Sequence, residues 1–371
     1  MKNKELCITG GTGSLGKALT KALIPLKPKG IRIYSRSELN QFNMKQQFKD
    51  SDIPIAYIIG DVRDRDRLTM ALKGVDYVVN AAAMKRIEVC DKDPLECLKT
   101  NVEGVSNLVY AALRNNVQKV LQVSTDKAVY PTTLYGASKK CAEDLIINAN
   151  VYSGNKTAYS NALFDLLLKQ NKSIVDLLLK QNKSIVDVYK TIIAMQNRAT
   201  DFMAVRYGNV LGSNGSVLGI FLNQIKNKQK LTVTDPKMTR FWITLPDVCQ
   251  FIINTLQNHK SGIHVPKMTS STIGDLIKSL NVIYSNDFIN STFEIERIPS
   301  QTNEKKHESL TTVEERERIV YADDRFIINS FVTKDNPAPI NWTYTSKNAY
   351  SGSNAAVPEL VKMIKEVVDD N

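Results

Sequence analysis

Leu6-Cys7-Ile8-Thr9-Gly10-Gly11-Thr12-Gly13-Ser14-Leu15-Gly16 runs from three apolar residues into a glycine-rich turn, and a helical pattern follows from Lys17 to Leu26. Gly10, Gly13 and Gly16 are three apart. Glycines at that spacing let the backbone turn tightly and let a pyrophosphate approach the N-terminus of the next helix. A turn that needs glycine only for its dihedrals is the plainer alternative. The position between a first strand and a first helix favours the dinucleotide fingerprint. Thr12, Ser14 and Leu15 share the turn and join the glycines as candidate cofactor contacts.

Working outward, the same strand-then-helix rhythm repeats. Ile31-Arg32-Ile33-Tyr34 ends in Ser35-Arg36. A site that prefers NAD wants a carboxylate at this strand end for the ribose 2′-hydroxyl. A hydroxyl and a guanidinium suit a 2′-phosphate instead, so NADP is predicted, with Lys45 as helper. Ala56-Tyr57-Ile58-Ile59 runs into Gly60-Asp61-Val62-Arg63-Asp64, where Asp61 is read as acceptor for the adenine amino group. Tyr77-Val78-Val79 leads to Asn80-Ala81-Ala82-Ala83-Met84-Lys85. Ala81, Ala82 and Ala83 leave room for a flat nicotinamide riboside, or for close helix packing. Alternating strands and helices predict an α/β fold, a doubly wound parallel-sheet Rossmann domain.

The next apolar run, Val120-Leu121-Gln122-Val123, delivers Ser124-Thr125-Asp126-Lys127-Ala128-Val129-Tyr130-Pro131-Thr132-Thr133-Leu134-Tyr135-Gly136-Ala137-Ser138-Lys139. Pro131 closes a loop, and Thr132 or Thr133 can cap the following helix. On that helix Tyr135 and Lys139 share one face. A neighbouring ammonium favours a phenolate, which makes Tyr135 a candidate general base. Asp126 and Lys127 lie at the carboxyl end of the strand, where open α/β sheets bind their ligands. Tyr-x-x-x-Lys by itself is common on solvated helix faces; the residues before it give it weight.

The 371 residues allow a large core and a second lobe. We expect a Rossmann domain at 1–206 and a smaller mixed α/β substrate domain at 207–371, with 246–266 returning to the first. The segment 157–199 carries an exact eleven-residue duplication, Asp165–Val175 repeated as Asp176–Val186, and is expected to be a helical insertion. Five scattered cysteines with no Cys-x-x-Cys predict a reducing compartment. Three dispersed histidines argue against a metal. The chain enters a strand without a signal segment and has no membrane-length apolar run, so a soluble cytoplasmic protein is expected. Net charge is +11, but the lysines are spread evenly, without aromatic interleaving, so nucleic acid is not the expected partner. The same positive field would favour an anionic cofactor and substrate.

The order of these motifs, with Lys99-Thr100-Asn101-Val102-Glu103-Gly104 between them, resembles the extended short-chain dehydrogenase/reductases. Ser124–Lys139 is similar, more narrowly, to the soluble inverting UDP-N-acetylglucosamine 4,6-dehydratases. Thr-Asp-Lys in place of Thr-Asp-Glu separates these from the dTDP-glucose type. Val205-Arg206-Tyr207-Gly208-Asn209, Gly215-Ser216-Val217, Met238-Thr239-Arg240-Phe241-Trp242 and Lys306-His307-Glu308 agree. Met84-Lys85-Arg86 lacks a proline that the family often carries. The resemblance implies Asp126, Lys127 and Tyr135 as catalytic residues. Lys139, Val62 and Asn101 would lie on the cofactor, and Lys85, Thr125, Asn209, Ser216, Val217, Arg240, Lys306 and Glu308 on the UDP-sugar. It also implies a homo-oligomer, dimer or hexamer, built on the Tyr135 helix. In the implied reaction Tyr135 serves oxidation at C4, and Lys127 removes the C5 proton if Lys139 and a cationic nicotinamide hold it neutral. Protonated Asp126 then releases the 6-hydroxyl. A UDP-sugar 4-epimerase would need Tyr135 and Lys139 but not Asp126-Lys127. A non-catalytic NADP-sensing or RNA-binding protein would not need the tyrosine–lysine pair.

Overall fold

The computed structural model describes residues 1–153, 200–213, 215–284, 293–300, 303–329 and 342–369. The insertion expected at 157–199 lies outside the described residues. In chain order the strands are β1 (Glu5–Thr9), β2 (Gly30–Ser35), β3 (Ile55–Ile59), β4 (Tyr77–Asn80), β5 (Lys119–Val123), β6 (Asp201–Val205) and β7 (Asn209–Val210). They continue with β8 (Leu231–Val233), β9 (Thr239–Ile243), β10 (Gly262–Pro266), β11 (Thr269–Thr272), β12 (Ile295–Arg297), β13 (Ile319–Tyr321) and β14 (Arg325–Ile328).

Nine strands form one sheet in the order β13-β14-β10-β6-β5-β4-β1-β2-β3. From β3 to β10 every pairing is parallel, which gives the doubly wound arrangement with its order reversal between β1 and β4. A parallel sheet is covered on both faces, so its strands are apolar throughout. In β1, Leu6 and Ile8 join the core on one face and Cys7 joins the core on the other, as the two-residue period requires. Helices Ser14–Leu23 and Leu245–Asn258 cover the first face through Leu19, Leu23, Val248 and Ile252. Helices Arg65–Ala71, Gly104–Arg114 and Leu134–Asn148 cover the second through Leu68, Leu108, Ala142 and Ile146. The first helix stops at Leu23 and tightens into a 3₁₀ turn, Ile24–Leu26, because Pro25 cannot donate to the ladder.

Two small sheets, β11-β9-β7 and β12-β8, stand beside the carboxyl ends of the parallel strands. Their core joins Leu218, Phe221, Trp242, Leu276, Leu280 and, from the closing helix Ser353–Asp369, Leu360 and Ile364. Pro358 lies inside that last helix. Residues 319–328 differ more. The sequence assigned them to the smaller lobe, but β14 pairs antiparallel with β10 and β13 with β14, so the chain returns to the large sheet twice, not once. Asn150 ties the end of the Tyr135 helix to β6: its amide donates to the carbonyls of Ile147 and Phe202 at 2.9 and 2.8 Å and accepts from the Phe202 N–H at 3.0 Å.

Candidate active site

A cleft of 1440 Å³ opens at the carboxyl ends of β1, β2, β4 and β5 and is closed on its far side by residues of the small sheets. Its floor is the glycine turn. A Cβ on Gly16 would stand 2.2 Å from the Gly11 carbonyl oxygen, and one on Gly10, whose φ is +65°, 2.7 Å from the Ala82 nitrogen. The turn is thus pressed against the strand end that carries Ala81, Ala82 and Ala83, and both sets of small residues follow from that approach. Gly10, Thr12, Gly13, Ser14, Leu15, Gly16, Ser35, Arg36, Asp61, Val62, the three alanines and Lys139 all line the cleft. Ser124 Oγ and Thr100 Oγ1, on the same wall, are buried without a hydrogen-bond partner among the described residues. An open phosphate-sized cradle and two unserved hydroxyls fit a dinucleotide.

Two cofactor expectations are corrected. Lys45 is exposed and does not line the cleft; Ser37 and Asn40, nearer the start of its helix Glu38–Gln47, do. Asp61 does line the cleft; its Oδ1 accepts from the Arg63 N–H at 2.9 Å and its Oδ2 from the Arg63 guanidinium at 2.6 Å, which fixes the carboxylate and leaves acceptor sites on it. Burial opposes ionisation of Asp61, but those bonds and the charge of Arg36, 3.8 Å away, outweigh it and hold its carboxyl below the ordinary range. Asn101 is buried behind the wall. Its amide brackets Met84, accepting from the N–H at 2.8 Å and donating to the carbonyl at 3.0 Å, and donates also to Ser138 Oγ at 3.0 Å. It therefore holds the Ala83–Lys85 loop to the Tyr135 helix instead of touching the cleft.

The chemistry-bearing cluster is built by two caps. Thr125 caps the 3₁₀ turn Asp126–Ala128, and Thr133 Oγ1 accepts from the Gly136 N–H to start the helix Leu134–Asn148. A Cβ on Gly136 would lie 2.3 Å from the Lys127 carbonyl oxygen, so only glycine lets the helix dock onto that turn. Asp126 is fully buried. Its Oδ1 accepts from Lys127 Nζ at 3.0 Å and from Thr125 Oγ1 at 2.9 Å, while Oδ2 has no partner. Lys127 Nζ also donates to Asn209 Oδ1 at 3.3 Å. Burial works against the ammonium of Lys127, but its neighbours, Asp126 first, outweigh it, and its pKa lies above the ordinary lysine value. This departs from the expectation of a lysine held neutral: the Asp126 carboxylate lies 3.0 Å from Nζ, while Lys139 turns to the Val123 carbonyl. Tyr135 is pushed up to about 12, chiefly by burial; the cation that opposes this is Lys127. Lys139 donates to the Val123 carbonyl at 2.6 Å and is pulled down to about 8 by burial, against the charge of Glu143.

On the substrate side Lys85, Thr125, Asn209, Ser216, Val217, Arg240 and Glu308 line the cleft, and Ser216 caps the helix Val217–Lys226. Lys306 does not. It is exposed, and only its carbonyl serves the site, accepting from Arg240 Nη1 and the Thr239 N–H. Lys305 lines the cleft instead and donates to the Val129 carbonyl at 2.6 Å. Arg240 also meets Glu304 at 3.3 Å. Glu308 is 5% exposed, and its Oε2 has no partner among the described residues. Burial first, and then the charge of Asp126, raise its carboxyl above the ordinary range. Sequence reasoning missed Thr232, Thr234, Ile298 and Pro299 on the far wall, where no motif marks them. It also missed the support behind the site. Arg206, fully buried, spends all five N–H groups on Glu143, Glu315 and the Leu310 carbonyl at 2.7 to 3.0 Å. An arginine closing the apolar strand Phe202–Val205 was the available signal.

Among the described residues no helix is long and apolar enough to cross a membrane, and no group of His, Cys, Asp and Glu could hold a metal ion. A protein from Campylobacter jejuni named UDP-N-acetylglucosamine 4,6-dehydratase (inverting) is 36% identical over 344 residues, 91% of this chain and 87% of that protein. One from Rickettsia canadensis named UDP-glucose 4-epimerase is 33% identical over 384 residues, 99% of this chain and 98% of that one. The crystal structure of Pen from Bacillus thuringiensis superposes with a TM-score of 0.78 at 34% identity, covering 98% of this chain and 99% of that one. The family described as polysaccharide biosynthesis protein matches residues 6–191 and 178–330, two stretches that overlap at the second copy of the repeat. With that match and a cleft built from the family's glycine turn and tyrosine–lysine helix, this chain belongs to the polysaccharide biosynthesis protein family.

Proposed function

We propose that the protein is an inverting UDP-N-acetylglucosamine 4,6-dehydratase that uses NADP and yields a UDP-4-keto-6-deoxy-L-N-acetylhexosamine for glycan biosynthesis. The observation that carries this is the Asp126–Lys127 pair at 3.0 Å beside Tyr135, an acid and a base beyond what oxidation at C4 requires. The Campylobacter jejuni relative bears that activity in its name. Two lobes serve it: the nine-stranded sheet for the cofactor and the small sheets for the UDP-sugar. We take the working form to be a homo-oligomer.

The glycine turn, Ser35, Arg36, Ser124 and Lys139 would hold the dinucleotide, and Arg36 would answer the 2′-phosphate. When bound, the dinucleotide accepts a hydride from C4 of the sugar and returns it at C6. Tyr135 Oη takes the 4-hydroxyl proton. Burial holds that phenol at about 12, so the transfer needs a further positive charge beside it, added to that of Lys127. Arg240 and Lys305 give the substrate diphosphate two cations.

Lys127 need not lose its proton to solvent. Moving one proton along the 3.0 Å bond from Nζ to Oδ1 turns the ion pair into an amine and a carboxylic acid at unchanged total charge. The amine removes the C5 proton that the 4-ketone has made acidic. The acid protonates the departing 6-hydroxyl.

The rival is 4-epimerisation, which the Rickettsia canadensis relative's name favours. Mass spectrometry of UDP-N-acetylglucosamine incubated with the protein and NADP separates them: dehydration removes one water, and an unchanged mass would reject the proposal.

A further inference from the structure

Resting on the dehydratase reading, we propose that Glu308 is the fourth proton-carrying residue of the site and delivers the proton that inverts C5. Two protons leave the substrate and two are needed. Tyr135 receives the one from the 4-hydroxyl, and Lys127 the one from C5 as the C5–H bond breaks. Asp126 gives one to the 6-hydroxyl as the C6–O bond breaks and water departs. The hydride taken from C4 then forms the new C6–H bond, and negative charge builds at C5 until a proton reaches it. By this stage Lys127 and Asp126 are back to the ion pair, and Lys127 stands on the face it deprotonated. Inversion requires a donor from elsewhere.

Among the described residues one buried carboxyl in the cleft, Glu308, comes from a different wall. Asp126, Lys127 and Tyr135 belong to one segment at the end of β5. Glu308 belongs to the segment that bridges to β9: the Ser346 N–H donates to the Glu308 carbonyl at 2.8 Å, and the Glu308 N–H donates to Ser346 Oγ at 2.9 Å. That segment is docked on the catalytic loop, because Lys305 reaches the Val129 carbonyl and Thr132 Oγ1 donates to the Asn303 carbonyl at 3.1 Å. The charged groups around Glu308 are Asp126, Lys127, Arg240 and Lys305. A buried Oε2 with no partner among the described residues is where a carboxylic acid can keep its hydrogen until a ligand arrives. Burial and Asp126 favour that protonated form over the attraction of the three cations. The ledger closes: Tyr135 ends one proton richer and Glu308 one poorer, so one proton passing through solvent resets the site.

The test uses the full chain with UDP-N-acetylglucosamine and NADP in deuterium oxide. Wild type should release the inverted product with one deuteron at C5. Glu308→Gln should lower turnover by roughly 10²–10⁴-fold, the range for a general acid. Its first hydride transfer should survive, leaving reduced nucleotide on the enzyme, with KM changed by only a few-fold. Glu308→Asp should recover part of the rate. A Glu308→Gln enzyme that makes inverted, deuterated product near the wild-type rate, or loses only KM, overturns the assignment in favour of a UDP ligand. Infrared difference spectra of the ligand-free protein give a readout without turnover. A protonated-carboxyl band should persist in wild type to a pH above the ordinary glutamate range and be absent in Glu308→Gln. If wild type removes no water, the dehydratase reading falls and this band alone decides; its absence from wild type refutes a proton on Glu308.

Discussion

Arg206→Met is the sharpest test of what supports the site. The arginine is fully buried and meets Glu143 and Glu315, themselves buried, with four charge-assisted bonds of 2.7 to 3.0 Å. Removing it leaves two carboxyls in the interior without the cation they share, a change that typically costs about 3–5 kcal/mol. The direction is reinforced by Glu315, whose carboxyl is held below its ordinary range because Arg206 outweighs the burial that would raise it. Urea unfolding followed by the fluorescence of buried Trp242 should show the midpoint falling by that free energy at unchanged slope. Arg206→Lys should lose most of it too, since one ammonium cannot make two forks. Replacing all three residues by apolar ones of similar volume should recover much of the loss, because the penalty is uncompensated charge. A cost below about 1 kcal/mol for Arg206→Met would refute the reasoning, for it would mean the carboxyls are satisfied without it.

Arg36→Ala should weaken NADP binding by roughly 10- to 150-fold, the value of a charge-assisted bond, and NAD binding far less; equal losses by titration calorimetry would remove its role at the 2′-phosphate. Lys127→Ala should let reduced nucleotide form once while water loss stops, and Tyr135→Phe should stop both; unimpaired dehydration by Lys127→Ala would discard it as the C5 base. Lys139 sits at about 8 against an ordinary 10.5. Between those values the unfolded chain holds a proton that the folded one has released, so its contribution to stability rises with pH there. Relative to Lys139→Met, wild type should gain on the order of 3 kcal/mol from pH 8 to 10.5; a flat difference would mean the ammonium is well solvated.

Local pattern was enough for β1 to β5, because each is a short apolar run ending in glycine or polar residues, and period and punctuation are local properties. The cluster from Thr125 to Lys139 was legible for the same reason: one strand end and one helix turn bring it together. What failed depended on distant partners. The Glu308 carboxyl, which meets Asp126 and Lys127 in the cleft, arrives from another segment. The slip from Lys305 to Lys306 occurred in an irregular stretch, where no period says which side chain faces inward. Asn101 looked like a ligand until its bonds to Met84 and Ser138 could be seen. The strands β13 and β14 were missed as part of the large sheet because β14 pairs with β10 from far back in the chain, and such a pairing is not a local property.

The Asn150 tie between the Tyr135 helix and β6 has an evolutionary consequence. The residues that flank 154–199 are clamped by one side chain, so the backbone enters and leaves that stretch at fixed points regardless of how many residues lie between. Lengthening a closed loop is cheap, only about 0.6 kcal/mol for each doubling. An eleven-residue copying error at this position therefore leaves the registers of β5 and β6 and the aim of Tyr135 untouched. Selection could see such a duplication only through what the added chain does for itself, which makes this junction a place where new surface can be tried without risking the old chemistry.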